Sequence, residues 1–88
     1  MSGKDMSSAV AGVDKIVKAI ADISKTKFAG SFLDSFKDGN IKGAEEALRR
    51  LKENITNFKE GSEKQGSYKA YLIDLETALN ELKGNTAL

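Results

Sequence analysis

The stretch NIKGAEEALRRLKENITNFKEG, Asn40 to Gly61, decides the fold. Its apolar residues stand at Ile41, Ala44, Leu48, Leu51, Ile55 and Phe58, so the gaps run 3, 4, 3, 4, 3. That spacing lays one apolar seam along an α-helix. Asn40 precedes the seam and can accept a hydrogen bond from an early helical N–H, as an N-cap does. Gly61 follows it and can adopt the left-handed conformation that closes a helix. Glu45–Arg49 and Glu46–Arg50 lie at i,i+4 in the favourable order, each worth roughly 0.2–0.5 kcal/mol. A seam of this kind needs other helices against it, and the flanking sequence supplies them.

On the N-terminal side, Met6, Val10, Val13, Val17 and Ile20 repeat at 4, 3, 4, 3, with Ile16 and Ile23 widening the stripe. They predict a helix from Asp5 or Ser7 to about Lys25, capped by Asp5 or Ser7 and solvated along Asp14, Lys15, Lys18 and Asp22. Between this helix and the central one lies KTKFAGSFLDSFKDGN. Phe28, Phe32 and Phe36 are spaced by four, with Leu33 beside them, which predicts a short helix from about Thr26 to Lys37 ended by Asp38-Gly39. Beyond the central helix, GSEKQG (Gly61 to Gly66) reads as a polar loop. Ser67 then caps a last helix to about Lys83, with its seam at Tyr68, Leu72, Leu75, Leu79 and Leu82. Gly84 stops it and the tail to Leu88 frays, as do residues 1–4.

The expectation is one all-α domain over 1–88. It is a small antiparallel bundle of three long helices and one short helix, crossing near +20°. Its core is drawn from Val10, Val13, Val17, Ile20, Phe32, Phe36, Leu48, Leu51, Ile55, Leu72, Leu75 and Leu79.

Composition removes whole classes of function. The chain has no cysteine and no histidine, so it lacks thiolate ligands, the commonest general base and the commonest metal ligand. Fourteen basic against thirteen acidic residues offer no field for nucleic acid or an anionic membrane. No run approaches the ~18 apolar residues of a membrane span. Charged residues interrupt the only candidate signal stretch, so the expectation is a soluble protein, cytoplasmic or exported without a cleaved signal peptide. No nucleophile–base pair, phosphate-cradling loop or cofactor motif is present, which argues against an enzyme and for no cofactor. Asn54-Ile55-Thr56 is a formal glycosylation sequon set mid-helix.

Two further patterns bear on function. Asp34 to Glu45 resembles a degenerate EF-hand calcium loop, with Asp34, Asp38, Gly39, Ile41 and Glu45 at positions one, five, six, eight and twelve. Phe36 at position three supplies no oxygen, and Lys42 at position nine is a cation facing a cation. The aromatic run Phe28, Phe32, Leu33 and Phe36 is either the plug at one end of the core or a protein-docking patch.

Phe28-Ala29-Gly30, with Phe36 eight residues after Phe28, also resembles the W-x-G turn and downstream aromatic of the WXG family, small helical hairpins exported by type VII secretion. That resemblance implies a bacterial, non-catalytic protein working by helix pairing, with Phe28 and Gly30 shaping a hairpin turn and Phe36 packing beside it. Phenylalanine stands here for the family's tryptophan. The family's secretion tyrosine with an acidic residue four places on is not met, since Leu72 follows Tyr68 and Leu75 follows Tyr71. In size and class the chain is similar to bacteriocin immunity proteins, which are small four-helix bundles. The expected function is therefore a helical interaction module that binds another protein or itself through an apolar helical surface.

Overall fold

In the computed structural model, which describes residues 7–86, the chain is an all-α bundle of four helices. These are α1 (Ser7–Ser24), α2 (Phe28–Asp38), α3 (Ile41–Glu53) and α4 (Glu63–Thr86), with a 3₁₀ turn at Asn54–Asn57 between α3 and α4. The cap expected at Asp5, the seam position expected at Met6 and the fraying expected of residues 1–4 lie outside the described residues.

Local signals set the α2–α3 corner. Gly39 adopts φ 71 and donates its N–H to the Phe36 carbonyl, while the Asn40 N–H reaches the Ser35 carbonyl at 2.8 Å. That pair of bonds closes α2 in a Schellman motif, which a left-handed glycine allows. Asn40 at once opens α3, its Oδ1 accepting the Gly43 N–H at 3.0 Å. One residue ends a helix and the next begins one.

The core gathers one stripe from each helix. Val13, Val17 and Ile20 meet Phe32, Phe36, Leu48 and Leu51, and Leu72, Leu75 and Leu79 close the far side. Val10 and Ile55 are only partly buried against this cluster. Ala29, Ala44, Ala47, Tyr68 and Leu82 are buried as well. The small side chains of Ala29, Ala44 and Ala47 permit close helix approach, where larger ones would hold the helices apart.

Direction follows from the ion pairs. Lys83, late in α4, bonds Glu45, early in α3, at 2.9 Å, and Lys52 near the end of α3 bonds Glu76 at 3.3 Å. The two helices are therefore antiparallel. Ile23 near the end of α1 lines a groove with Glu63 and Ser67 at the start of α4, so α1 also runs against α4. The 24-residue α4 is about 36 Å long at 1.5 Å per residue and accounts for most of the molecule's 47 Å long axis.

Three sequence expectations change. The central helix does not run to Phe58: it stops at Glu53, and after the 3₁₀ turn Phe58 is extended (φ −100, ψ 150). There its ring lies 4.9 Å from that of Tyr68, whose hydroxyl donates to the Leu51 carbonyl at 2.6 Å. The helix-ending carbonyl thus finds a side-chain donor from α4, and the chain is free to turn. The Asn54 sequon accordingly sits in this turn, not mid-helix.

Secondly, GSEKQG is not a loop, because α4 begins at Glu63. Ser62 Oγ accepts the Gln65 N–H at 3.2 Å and Gln65 Oε1 accepts the Gly61 N–H at 2.8 Å. Ser62 is thus the N-cap of α4, and Gln65 reaches back past it to Gly61, a variant of the S-x-x-Q capping box in which the Ser62 N–H is left to the Lys59 carbonyl. Ser67 is inside the helix, and Gly61, left-handed at φ 77, serves the entry to α4 and not the exit of α3.

Thirdly, Gly84 does not stop α4, which continues to Thr86. Gly66 and Gly84 are both exposed and helical, so each costs about 1 kcal/mol relative to alanine without breaking the helix.

Candidate functional site

The aromatic run singled out as a docking patch is largely spent on the core. Phe32 and Phe36 are 0% and 2% exposed, and their rings stack at 6.0 Å. Neither presents surface to a partner while the bundle is closed. Phe28 and Leu33 are half-buried, and the Phe28 ring is covered on one side by the Arg50 guanidinium, 5.9 Å from its centroid. A four-residue spacing puts side chains on one helix face, but it does not say whether that face looks inward.

Phe28-Ala29-Gly30 forms the first turn of α2 and not the reversal before it. Lys25 makes that reversal, at φ 57 with its N–H on the Ala21 carbonyl. Gly30 is helical, and a Cβ built there meets nothing within 4 Å, so its place in the structure does not require glycine. The EF-hand-like segment likewise folds differently. Asp34 to Asp38 are helical, Gly39-Asn40 is a tight corner, and Ile41 to Glu45 start α3. A calcium loop wraps ligands from positions one, three, five, seven, nine and twelve round one ion, whereas here the first five positions continue α2. Among the described residues no three His, Cys, Asp or Glu side chains gather to hold a metal ion.

The trough between α3 and α4, floored by Leu48 and Leu79, is strapped at both ends by the Lys83–Glu45 and Lys52–Glu76 pairs. Glu45 therefore partners α4 and not Arg49. Arg49 instead bridges Glu46 and Glu53, both at 2.6 Å, and Arg50 shares Glu46 at 3.0 Å. Hydrogen bonds from Arg49 and then Arg50 hold the Glu46 carboxyl below its ordinary range. All of these groups are half-exposed, so they solvate the face of α3 and contribute little to stability.

The outer line of α4 is different. Gly66, Ala70, Ile73, Thr77, Asn80 and Gly84 recur at 4, 3, 4, 3, 4, and all six are exposed. Ile73 and Thr77 lie ~160° round the helix from the fully buried Leu75, so the line there points away from the core, while Asn80 further along also borders the α3–α4 trough. Ile73 is 63% exposed and is the exposed large hydrophobic of the described residues. From Gly66 to Gly84 the line carries no charge. The outer faces of the other helices are charged: Lys15, Lys18 and Asp22 on α1, Asp34, Lys37 and Asp38 on α2, Glu46, Arg49, Arg50 and Glu53 on α3. The 4-3 period was legible in the sequence, but the stronger leucine seam of the same helix hid it.

No family model matches the chain, and no curated protein or solved structure does either.

Proposed function

We propose that this chain is a non-catalytic protein–protein interaction module that pairs helix against helix through the outer line of α4. The observation that carries this is Ile73, 63% exposed at the middle of a charge-free 4-3 line in a chain that is 31% charged. Heptad-spaced positions free of charge are what a helix offers to a second helix. Small residues at Gly66, Ala70 and Gly84 let backbones approach closely, and burying Ile73 contributes roughly 1.5–3 kcal/mol. The phenylalanines serve this indirectly, by filling the core on which the helices close.

Site-specific photo-crosslinking in the source cell tests the assignment. A photoreactive residue in place of Ile73 is expected to give a discrete protein adduct, and one in place of Asp34, on the charged face of α2, is not. Equal labelling from the two faces, or none from position 73, sinks the proposal.

A further inference from the structure

Resting on that reading, we infer that the partner on this face is a second copy of the chain. Its α4 packs antiparallel on the first about a two-fold axis passing between Tyr71 and Leu72. In that register the exposed Ile73 of each copy seats over Ala70 of the other, and Thr77 of each faces Gly66 of the other. The one large knob thus meets the small residue of the line, and a Cβ at Gly66 points into open space, so nothing within the chain fills the hole. An isologous contact of this kind is self-complementary by construction.

The charges beside the line choose the register. Lys69 and Glu76 flank it on the side of α3, and Ser67 and Asp74 flank it on the side of α1. Antiparallel helices set like flanks against each other, so Lys69 of each copy meets Glu76 of the other, twice, and Asp74 meets the neutral Ser67. Glu76 already holds Lys52 at 3.3 Å and is half-exposed, so a second cation adds to the pair without burying it. Sliding the copies by one heptad to engage all six positions loses this match. Asp74 and Glu76 then each face their own copies, Lys69 faces Lys83, and Ile73 faces Thr77. A parallel pair would set Glu76 against Glu81. Only the shorter antiparallel register joins the Ile73–Ala70 fit to opposite charges on a flank. Four layers of mostly small side chains fall short of the roughly 1,200–2,000 Å² of a standard stable interface, so the pairing is weak and concentration-dependent.

Sedimentation equilibrium on the purified full chain over a thousandfold range of concentration tests this. A monomer–dimer equilibrium is expected, with dimer dominant at the top of the range. Ile73→Lys should leave a monomer throughout, with the melting temperature that the dilute, monomeric wild type has, because Ile73 is exposed. Lys69→Glu should weaken the dimer at least tenfold, and Lys69→Glu with Glu76→Lys should restore it. Register has its own readout, since the chain has no native cysteine. Mixed Ala70→Cys and Ile73→Cys chains should form the mixed disulfide, whereas Ile73→Cys with Thr77→Cys should not. A monomer at every concentration, or a dimer indifferent to Ile73→Lys, overturns the inference. The adduct mass separates it from the broader reading. Twice the chain mass at position 73 supports self-pairing, and another protein's mass there with a monomeric chain removes the second copy but keeps the face.

Discussion

Tyr68 shows how much one buried side chain settles. It is 0% exposed, it packs on Phe58, and its hydroxyl satisfies the Leu51 carbonyl where α3 gives way to the 3₁₀ turn. Burial pushes the hydroxyl above its ordinary value, and a hydrogen bond with the Asn54 side chain offsets part of that. A folded-state value raised above the unfolded ~10 means stability is fully present below pH 10 and is lost as pH rises through the folded value. Urea titrations between pH 8 and 11.5 should show this loss, and Tyr68→Phe should flatten it. At pH 7 the same variant should lose about 1 kcal/mol, the net worth of its hydrogen bond, more if the Leu51 carbonyl stays buried. An alkaline limb identical in both proteins would remove Tyr68 from that role. Leu51 itself is fully buried, and Leu51→Ala should cost roughly 2–5 kcal/mol in the same assay.

Single elements can be tested at their ends. Ser62→Ala removes the N-cap acceptor of α4 and should cost about 1 kcal/mol. Were Gly61–Gly66 a loop, the change would be close to neutral. Gly30→Ala should stabilise α2 by about 0.5–1 kcal/mol, since the site is helical, exposed and open to a Cβ. A turn-forming glycine of the W-x-G kind would instead lose stability, so the sign of this one change discriminates. Lys25, by contrast, holds φ 57 at the end of α1, and Lys25→Gly should gain up to about 1 kcal/mol by relieving a left-handed side chain. Each is read as a shift in the urea midpoint at constant slope.

At the scale of the molecule, the bundle closes its own leucine and valine seams and leaves one line of α4 uncovered. Its radius of gyration, 13.1 Å, exceeds the about 12 Å of a compact chain of this length because α4 is long. The free line runs along this longest helix, and its first four positions, Gly66 to Thr77, carry the inferred pairing. Phe28, Phe32 and Phe36 stand out in the sequence, yet the structure buries Phe32 and Phe36 in the shared core.

Much of this was written locally. The four helices, the Gly39-Asn40 corner and most of the core follow from apolar period and capping chemistry within a few residues of each other. The α4 start was legible too, in Ser62 and Gln65, although two bounding glycines argued for a loop. What needed the tertiary structure was whatever depends on residues far apart in the chain. Tyr68, 17 residues on, ends α3 at Glu53, and Lys83, 38 residues on, draws Glu45 from Arg49. Burial turns Phe32 and Phe36 from candidate contacts into core. Periodicity defines a face of a helix, but only packing decides what covers it, and on α4 it leaves the Ile73 line bare.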